Sequence, residues 1–127
     1  MADTLLIIED EALLGQELSR HFRNKGWEVE LARNLAEART ILSIQRIEPL
    51  VILSDMNLPD GNALDFMEDI KGSLTYCEWL FLTGYGAIED SVRALRLGAY
   101  EFLEKPCEMD RLDLVIASAK RTTIAQR

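Results

Sequence analysis

The feature that most constrains this chain is an alternation, repeated five times, between a short apolar run and a longer stretch with helical spacing. The runs are Leu5-Leu6-Ile7-Ile8, Val29-Glu30-Leu31, Leu50-Val51-Ile52-Leu53, Trp79-Leu80-Phe81-Leu82 and Tyr100-Glu101-Phe102-Leu103, and each predicts a strand. The stretches between and after them carry apolar residues three or four apart: Leu14, Leu18 and Phe22; Leu35, Ala38 and Leu42; Leu64, Met67 and Ile70; Ile88, Val92 and Leu95; Leu112, Val115 and Ala119. That spacing places one apolar stripe along one face of each of five helices. Gly26, Gly72 and Gly98 stand where helices should stop, Asn34 is suited to an N-cap, and Pro59-Asp60-Gly61 is turn chemistry.

Five β-α units in succession call for an α/β fold with a parallel sheet, helices on both faces and right-handed crossovers. The first, third and fourth runs are almost wholly apolar, as strands covered on both faces should be, whereas Glu28 and Glu30 give the second the alternation of an edge strand. The expected architecture is therefore a flavodoxin-like (βα)5 fold with strand order 2-1-3-4-5 and a crevice at the carboxyl ends of strands 1 and 3. No repeat or internal linker interrupts the pattern, so residues 1–127 read as one domain. The polar tail from about residue 120 reads either as a last helical turn or as the start of a connection to an output domain.

Composition narrows the function. The net charge of −8 argues against direct nucleic-acid contact by this domain, because gripping a phosphate backbone needs clustered Lys and Arg. No apolar stretch approaches the roughly 20 residues needed to span a bilayer, and the N-terminus lacks a secretory pattern, so the expected setting is cytoplasmic and without a membrane. Cys77 and Cys107 lack metal-site spacing and read as reduced thiols.

The polar residues at the predicted strand ends carry the chemistry. Glu9 and Asp10 follow the first strand, Asp55 the third, Thr83 the fourth and Lys105 the fifth, and the topology brings all five to one crevice. Three carboxylates in one place repel one another unless protons or a cation intervene. Mg2+ suits such a site, being satisfied by one or two carboxylates, water and phosphate oxygens. Asp10 and Asp55 are the expected direct ligands, with the main-chain carbonyl of Asn57 as a third and Glu9 acting through water. A carboxylate can attack phosphorus to give an aspartyl phosphate. In that reading Asp55 is the acceptor, Lys105 pairs with a phosphoryl oxygen and Thr83 donates a hydrogen bond.

Taken together, Ile8-Glu9-Asp10, Leu53-Ser54-Asp55-Met56-Asn57-Leu58-Pro59, Leu82-Thr83-Gly84 and Glu104-Lys105-Pro106 resemble the receiver domain of bacterial two-component response regulators along essentially the whole chain. The resemblance implies a sensor histidine kinase as phosphodonor, phosphorylation at Asp55, regulation of transcription and a cis bond before Pro106. Thr83-Gly84-Tyr85-Gly86 and the segment from Gly98 to Pro106 are most similar to receivers of nitrogen-regulation-type transcriptional activators. It further implies that Thr83 and Tyr100 form a switch pair that reshapes the surface around the fourth helix, fifth strand and fifth helix. A homodimer through the fourth and fifth helices is compatible with it. Two departures stand out: Glu9 where Asp is frequent, and Ala63 where a second Gly is common.

Such a domain catalyses its own phosphorylation and dephosphorylation and turns over no external substrate. A flavodoxin-like flavin-binding module is the alternative on the same fold, but Glu9, Asp10 and Glu11 would repel a phosphate at the first loop. A phosphatase with an aspartate nucleophile, similar to the haloacid dehalogenase group, would place that residue after the first strand instead of the third. His21, the only histidine, is expected to be exposed on the first helix, Trp27 and Trp79 are expected to pack, and Tyr100 has the alternative role of a permanently packed strand aromatic.

Overall fold

The computed structural model describes residues 2–84 and 88–127. The main sheet contains β1 (Thr4–Ile8), β2 (Glu28–Ala32), β3 (Val51–Asp55), β6 (Glu78–Thr83) and β7 (Glu101–Glu104), all parallel, in the order β2-β1-β3-β6-β7. Counted within the sheet, this is the expected order 2-1-3-4-5. Two short strands absent from the expectation, β4 (Asn57–Leu58) and β5 (Gly61–Asn62), pair antiparallel just after β3.

Strand alternation sorts the core into two layers, because successive side chains point to opposite faces of a sheet. Leu5, Ile7, Leu53, Leu80 and Leu103 pack under α1 (Ala12–Asn24) and α5 (Met109–Gln126), which contribute Leu18, Phe22, Leu112 and Ile116. Leu6, Ile8, Ile52, Trp79 and Phe81 face α2 (Leu35–Arg39), α3 (Ala63–Ile70) and α4 (Ile88–Arg96). Trp79 is buried between Phe66 and Phe81, so it packs as expected. Trp27 is half-buried with the Lys120 ammonium 5.6 Å from its ring centroid.

Helix boundaries follow local chemistry. The Asn34 side chain accepts from the Glu37 amide and starts α2, and Asn62 accepts from the Leu64 and Asp65 amides to start α3. The turn closing α1 uses Gly26, and that closing α4 uses Gly98, both at φ 95°. After α2 the helix widens into a π segment, Thr40–Ile44, where the Thr40 hydroxyl donates back to the Ala36 carbonyl and the Gln45 amide reaches Thr40. The polar segment from Lys120 is ordered helix: Thr123 is fully buried, donating to the Leu50 carbonyl and accepting from the Glu78 amide. Arg127 donates to the carbonyls of Tyr76 and Pro49.

The fourth helix departs from simple pattern reading. Its stripe Ile88, Val92 and Leu95 faces outward, with relative exposures of 81%, 42% and 57%, while Ala94 is the residue buried against the sheet. Both open edges of the sheet carry glutamates, Glu28 and Glu30 on β2 and Glu101 and Glu104 on β7. Among the described residues no helix is long and apolar enough to cross a membrane.

Candidate functional site

The register of the sheet assembles the site. Ile8 pairs with Ser54, so Glu9 emerges beside Asp55, and Thr83 pairs with Glu104, so Lys105 emerges one residue beyond Thr83. Glu9, Asp55 and Lys105 have the parity of Ile7, Leu53 and Leu103 and continue one face of the sheet. Their contacts follow: the Lys105 ammonium donates to Glu9 Oε1 at 2.7 Å and to Asp55 Oδ2 at 3.3 Å. Thr83 has the parity of Phe81, is buried, and receives the Lys105 amide on its carbonyl at 2.7 Å. The Lys105-Pro106 bond is cis, as the resemblance implies.

Main-chain bonds fix the surrounding loops. Asp55 Oδ1 accepts from the Met56 amide at 2.8 Å, and that amide also lies 2.9 Å from the Leu82 carbonyl. Glu9 Oε2 accepts from the Glu11 amide at 3.0 Å. Gly15 lets α1 approach closely here, since a Cβ at that position would lie 3.3 Å from Leu31 Cδ1 and 3.8 Å from Glu9 Cγ.

Electrostatics mark the crevice as short of positive charge. Burial pushes the Glu9 carboxyl above its ordinary range, against the bonds from Lys105 and the Glu11 amide. Burial likewise raises Asp55, against the Lys105 charge. For Lys105 burial acts downward, but the bond to Glu9 and the charge of Asp55 outweigh it and the ammonium is held more firmly than usual. Carboxylate oxygens of Glu9, Asp10 and Asp55 all lie within 4.8 Å of one another. Three carboxylates against one ammonium leave two negative charges, which is the deficit a divalent cation matches. The donor set, all oxygen and partly open to water through exposed Asp10, fits Mg2+.

Other expected residues fall nearby. Asn57 is exposed at the start of β4, next to the site. Tyr100 lies just before β7, half-buried, and its hydroxyl meets the Ser118 hydroxyl on α5. The Tyr85-Gly86 part of the motif lies outside the described residues. His21 corrects the expectation of an exposed side chain: it is only 25% exposed, with Nε2 2.6 Å from Asp113 Oδ1 on α5. The two helices converge at that point, so a position that looks solvated on α1 alone becomes an interhelical contact. The contacts of Asp60 and Ser118 are ones that sequence reasoning did not single out, because their partners lie 25 and 24 residues away for Asp60 and 18 for Ser118.

Fold and site thus define a doubly wound α/β domain with an acidic crevice and a lysine at its switch point. A family model described as the response regulator receiver domain matches residues 5–117, and the chain belongs to that family. It is 35% identical over 118 residues to the acid tolerance regulatory protein ActR of Rhizobium meliloti, covering 93% of this chain and 59% of that protein. It is 33% identical to the response regulator protein PilR of Pseudomonas aeruginosa, covering 91% of this chain and 26% of the relative. The chain therefore spans less than two thirds of the length of these relatives. The crystal structure of a response regulator receiver domain protein from Clostridium thermocellum superposes with a TM-score of 0.90 at 26% identity, covering 98% of this chain and 99% of that one. The flavin-binding alternative is set aside, since the loop after β1 presents Glu9, Asp10 and Glu11 where a flavin phosphate would need donors.

Proposed function

We propose that this domain accepts a phosphoryl group on Asp55 from a phosphohistidine of a sensor kinase and changes its output surface in response. The observation that carries this reading is the placement of Asp55 at the end of the central strand β3, 3.3 Å from the Lys105 ammonium and within 4.8 Å of the other two carboxylates. Asp10, Asp55 and the Asn57 carbonyl would hold Mg2+, and Glu9 would act on it through water. When bound, Mg2+ neutralises oxygen charge on the phosphoryl group and on Asp55.

A carboxylate oxygen of Asp55 forms the new bond to phosphorus as the donor's N–P bond breaks, and the leaving imidazole keeps the electron pair and takes up a proton. Lys105 transfers its ion pair from the carboxylates to a phosphoryl oxygen, and the Thr83 hydroxyl donates to another. Contacts that exist only with the phosphoryl group present shift the population of the domain. Tyr100 exchanges its Ser118 partner for an inward position behind Thr83. The same residues catalyse hydrolysis of the aspartyl phosphate, and no external substrate is turned over.

Two surfaces fit this role. A groove of about 450 Å³ beside Lys105, lined by Leu14, Leu18, Pro106, Cys107, Met109 and Leu112, offers the kinase an apolar seat next to the acceptor. The outward stripe Ile88, Val92 and Leu95 on α4 offers a response surface, including for a homodimer through α4 and α5. The two regulators named above are longer than this chain, and a nitrogen-regulation-type activator of transcription in the cytoplasm is the whole-protein reading it fits best. Incubation with Mg2+ and acetyl phosphate should add one phosphoryl mass to the intact protein, in a hydroxylamine-sensitive form, and Asp55→Asn should abolish it. An unmodified wild type, or an Asp55→Asn variant that still gains the adduct, overturns the assignment.

A further inference from the structure

We propose that Asp60 is a positioning residue for metal binding: its carboxylate locks the β4–β5 hairpin, which carries Asn57, onto the start of α2. The inference rests on the reading that the Asn57 carbonyl is a ligand. Asp60 Oδ1 accepts from the Leu35 amide at 2.9 Å and Oδ2 from the Ala36 amide at 3.0 Å. These are the first two residues of α2, whose cap Asn34 already accepts from the Glu37 amide at 2.8 Å. A local cap is therefore in place, and Asp60 adds a second acceptor brought from a distant turn. The two amide bonds hold its carboxyl below the ordinary range, so it is ionised wherever the site works.

The base of the hairpin is held by the Ala63 amide donating to the Met56 carbonyl at 2.9 Å and by the Met56 amide donating to the Leu82 carbonyl at 2.9 Å, and its ladder consists of the pairs Asn57 with Asn62 and Leu58 with Gly61. Asp60 adds the tether at the tip. Apolar contact complements the hydrogen bonds: Leu58 and Leu35 are buried in the same cluster, and a Cβ on Gly61 would lie 3.2 Å from Leu35 Cδ1. Gly61 also has φ 152°, so the close seat on α2 depends on glycine there. With both carboxylate oxygens engaged, Asp60 restrains the turn three residues beyond Asn57 and so the direction of the Asn57 carbonyl. Outer groups that orient a ligand are commonly worth a factor of ten or more in metal affinity.

The test is Mg2+ titration by calorimetry of wild type, Asp60→Ala and Asn34→Ala, paired with the extent of acetyl phosphate labelling at saturating Mg2+. Asp60→Ala should raise the Mg2+ Kd by about ten-fold while labelling at saturation stays at the wild-type level. Asn34→Ala, which weakens the same helix start without touching the hairpin, should keep the wild-type Kd. A wild-type Kd in Asp60→Ala, or an equal rise in Asn34→Ala, overturns the inference alone. A wild type that binds no Mg2+ overturns the underlying reading and this inference with it.

Discussion

The Lys105 ammonium reaches across the crevice to Glu9, with Nζ 2.7 Å from Oε1, and stands farther from Asp55, at 3.3 Å. Glu9 is almost fully buried, so Lys105 is its principal compensating charge before any cation or phosphoryl group arrives. The longer side chain at this position therefore gives the lysine a resting partner and leaves Asp55 the weaker claim on it.

Removing that partner should be costly without metal. Lys105→Ala leaves a buried carboxylate with one amide bond and should destabilise the metal-free domain by about 1–3 kcal/mol. Saturating Mg2+ should recover part of the loss, since the cation supplies charge to the same carboxylates. Urea unfolding of both proteins with and without Mg2+ measures this, and equal midpoints in the metal-free state would exclude the pair as a source of stability.

Asp55 should destabilise its own metal-free fold at neutral pH. Burial, the largest influence, raises its carboxyl above the reference value of 3.8 despite Lys105, so ionising it costs more in the folded chain than in the unfolded one. A raised carboxyl contributes stability that is complete below the unfolded value and is lost as pH rises through the folded one. Asp55→Asn should then be more stable than wild type at pH 7, with the difference closing as pH falls to about 3.8. Denaturant midpoints across that range in the presence of a chelator provide the comparison, and a less stable variant at neutral pH would reverse the assignment of cause.

Thr123 joins the end of α5 to the sheet with two hydrogen bonds, 2.7 Å to the Leu50 carbonyl and 3.1 Å from the Glu78 amide. Thr123→Val preserves shape but removes both bonds; because the Glu78 amide also donates to the Leu50 carbonyl at 3.3 Å, neither group is left without a partner and the cost should be about 0.5–1.5 kcal/mol. Equilibrium unfolding should show a lower midpoint with an unchanged slope. A midpoint equal to wild type would mean that the direct bond from the Glu78 amide to the Leu50 carbonyl serves both groups without the hydroxyl.

Much of the architecture was legible because both periods were present at once. Apolar continuity marked β1, β3 and β6 as central, glutamates marked β2 as an edge, and strand order then placed Glu9, Asp10, Asp55, Thr83 and Lys105 at one end. Periodicity could not say which side of α4 meets the sheet, since small Ala94 packs inward while Ile88 and Leu95 face water. The widening of α2 over Thr40–Ile44 accompanies a threonine hydroxyl bonded to the Ala36 carbonyl, a contact that apolar spacing does not record. Nor does any local pattern reveal that Asp60 caps a helix begun 25 residues earlier, or that His21 meets Asp113 at a separation of 92 residues. These contacts exist only after the layers have formed.

The glutamates on β2 and β7 bear on how copies of the domain can meet. An exposed strand edge is a template for another chain, and here a second sheet approaching either edge would bring Glu28 and Glu30, or Glu101 and Glu104, against their own counterparts. Repulsion at both margins discourages growth of the sheet from one molecule into the next. Any contact between copies would thereby be turned away from main-chain pairing and left to the helical faces, where neither sheet is extended.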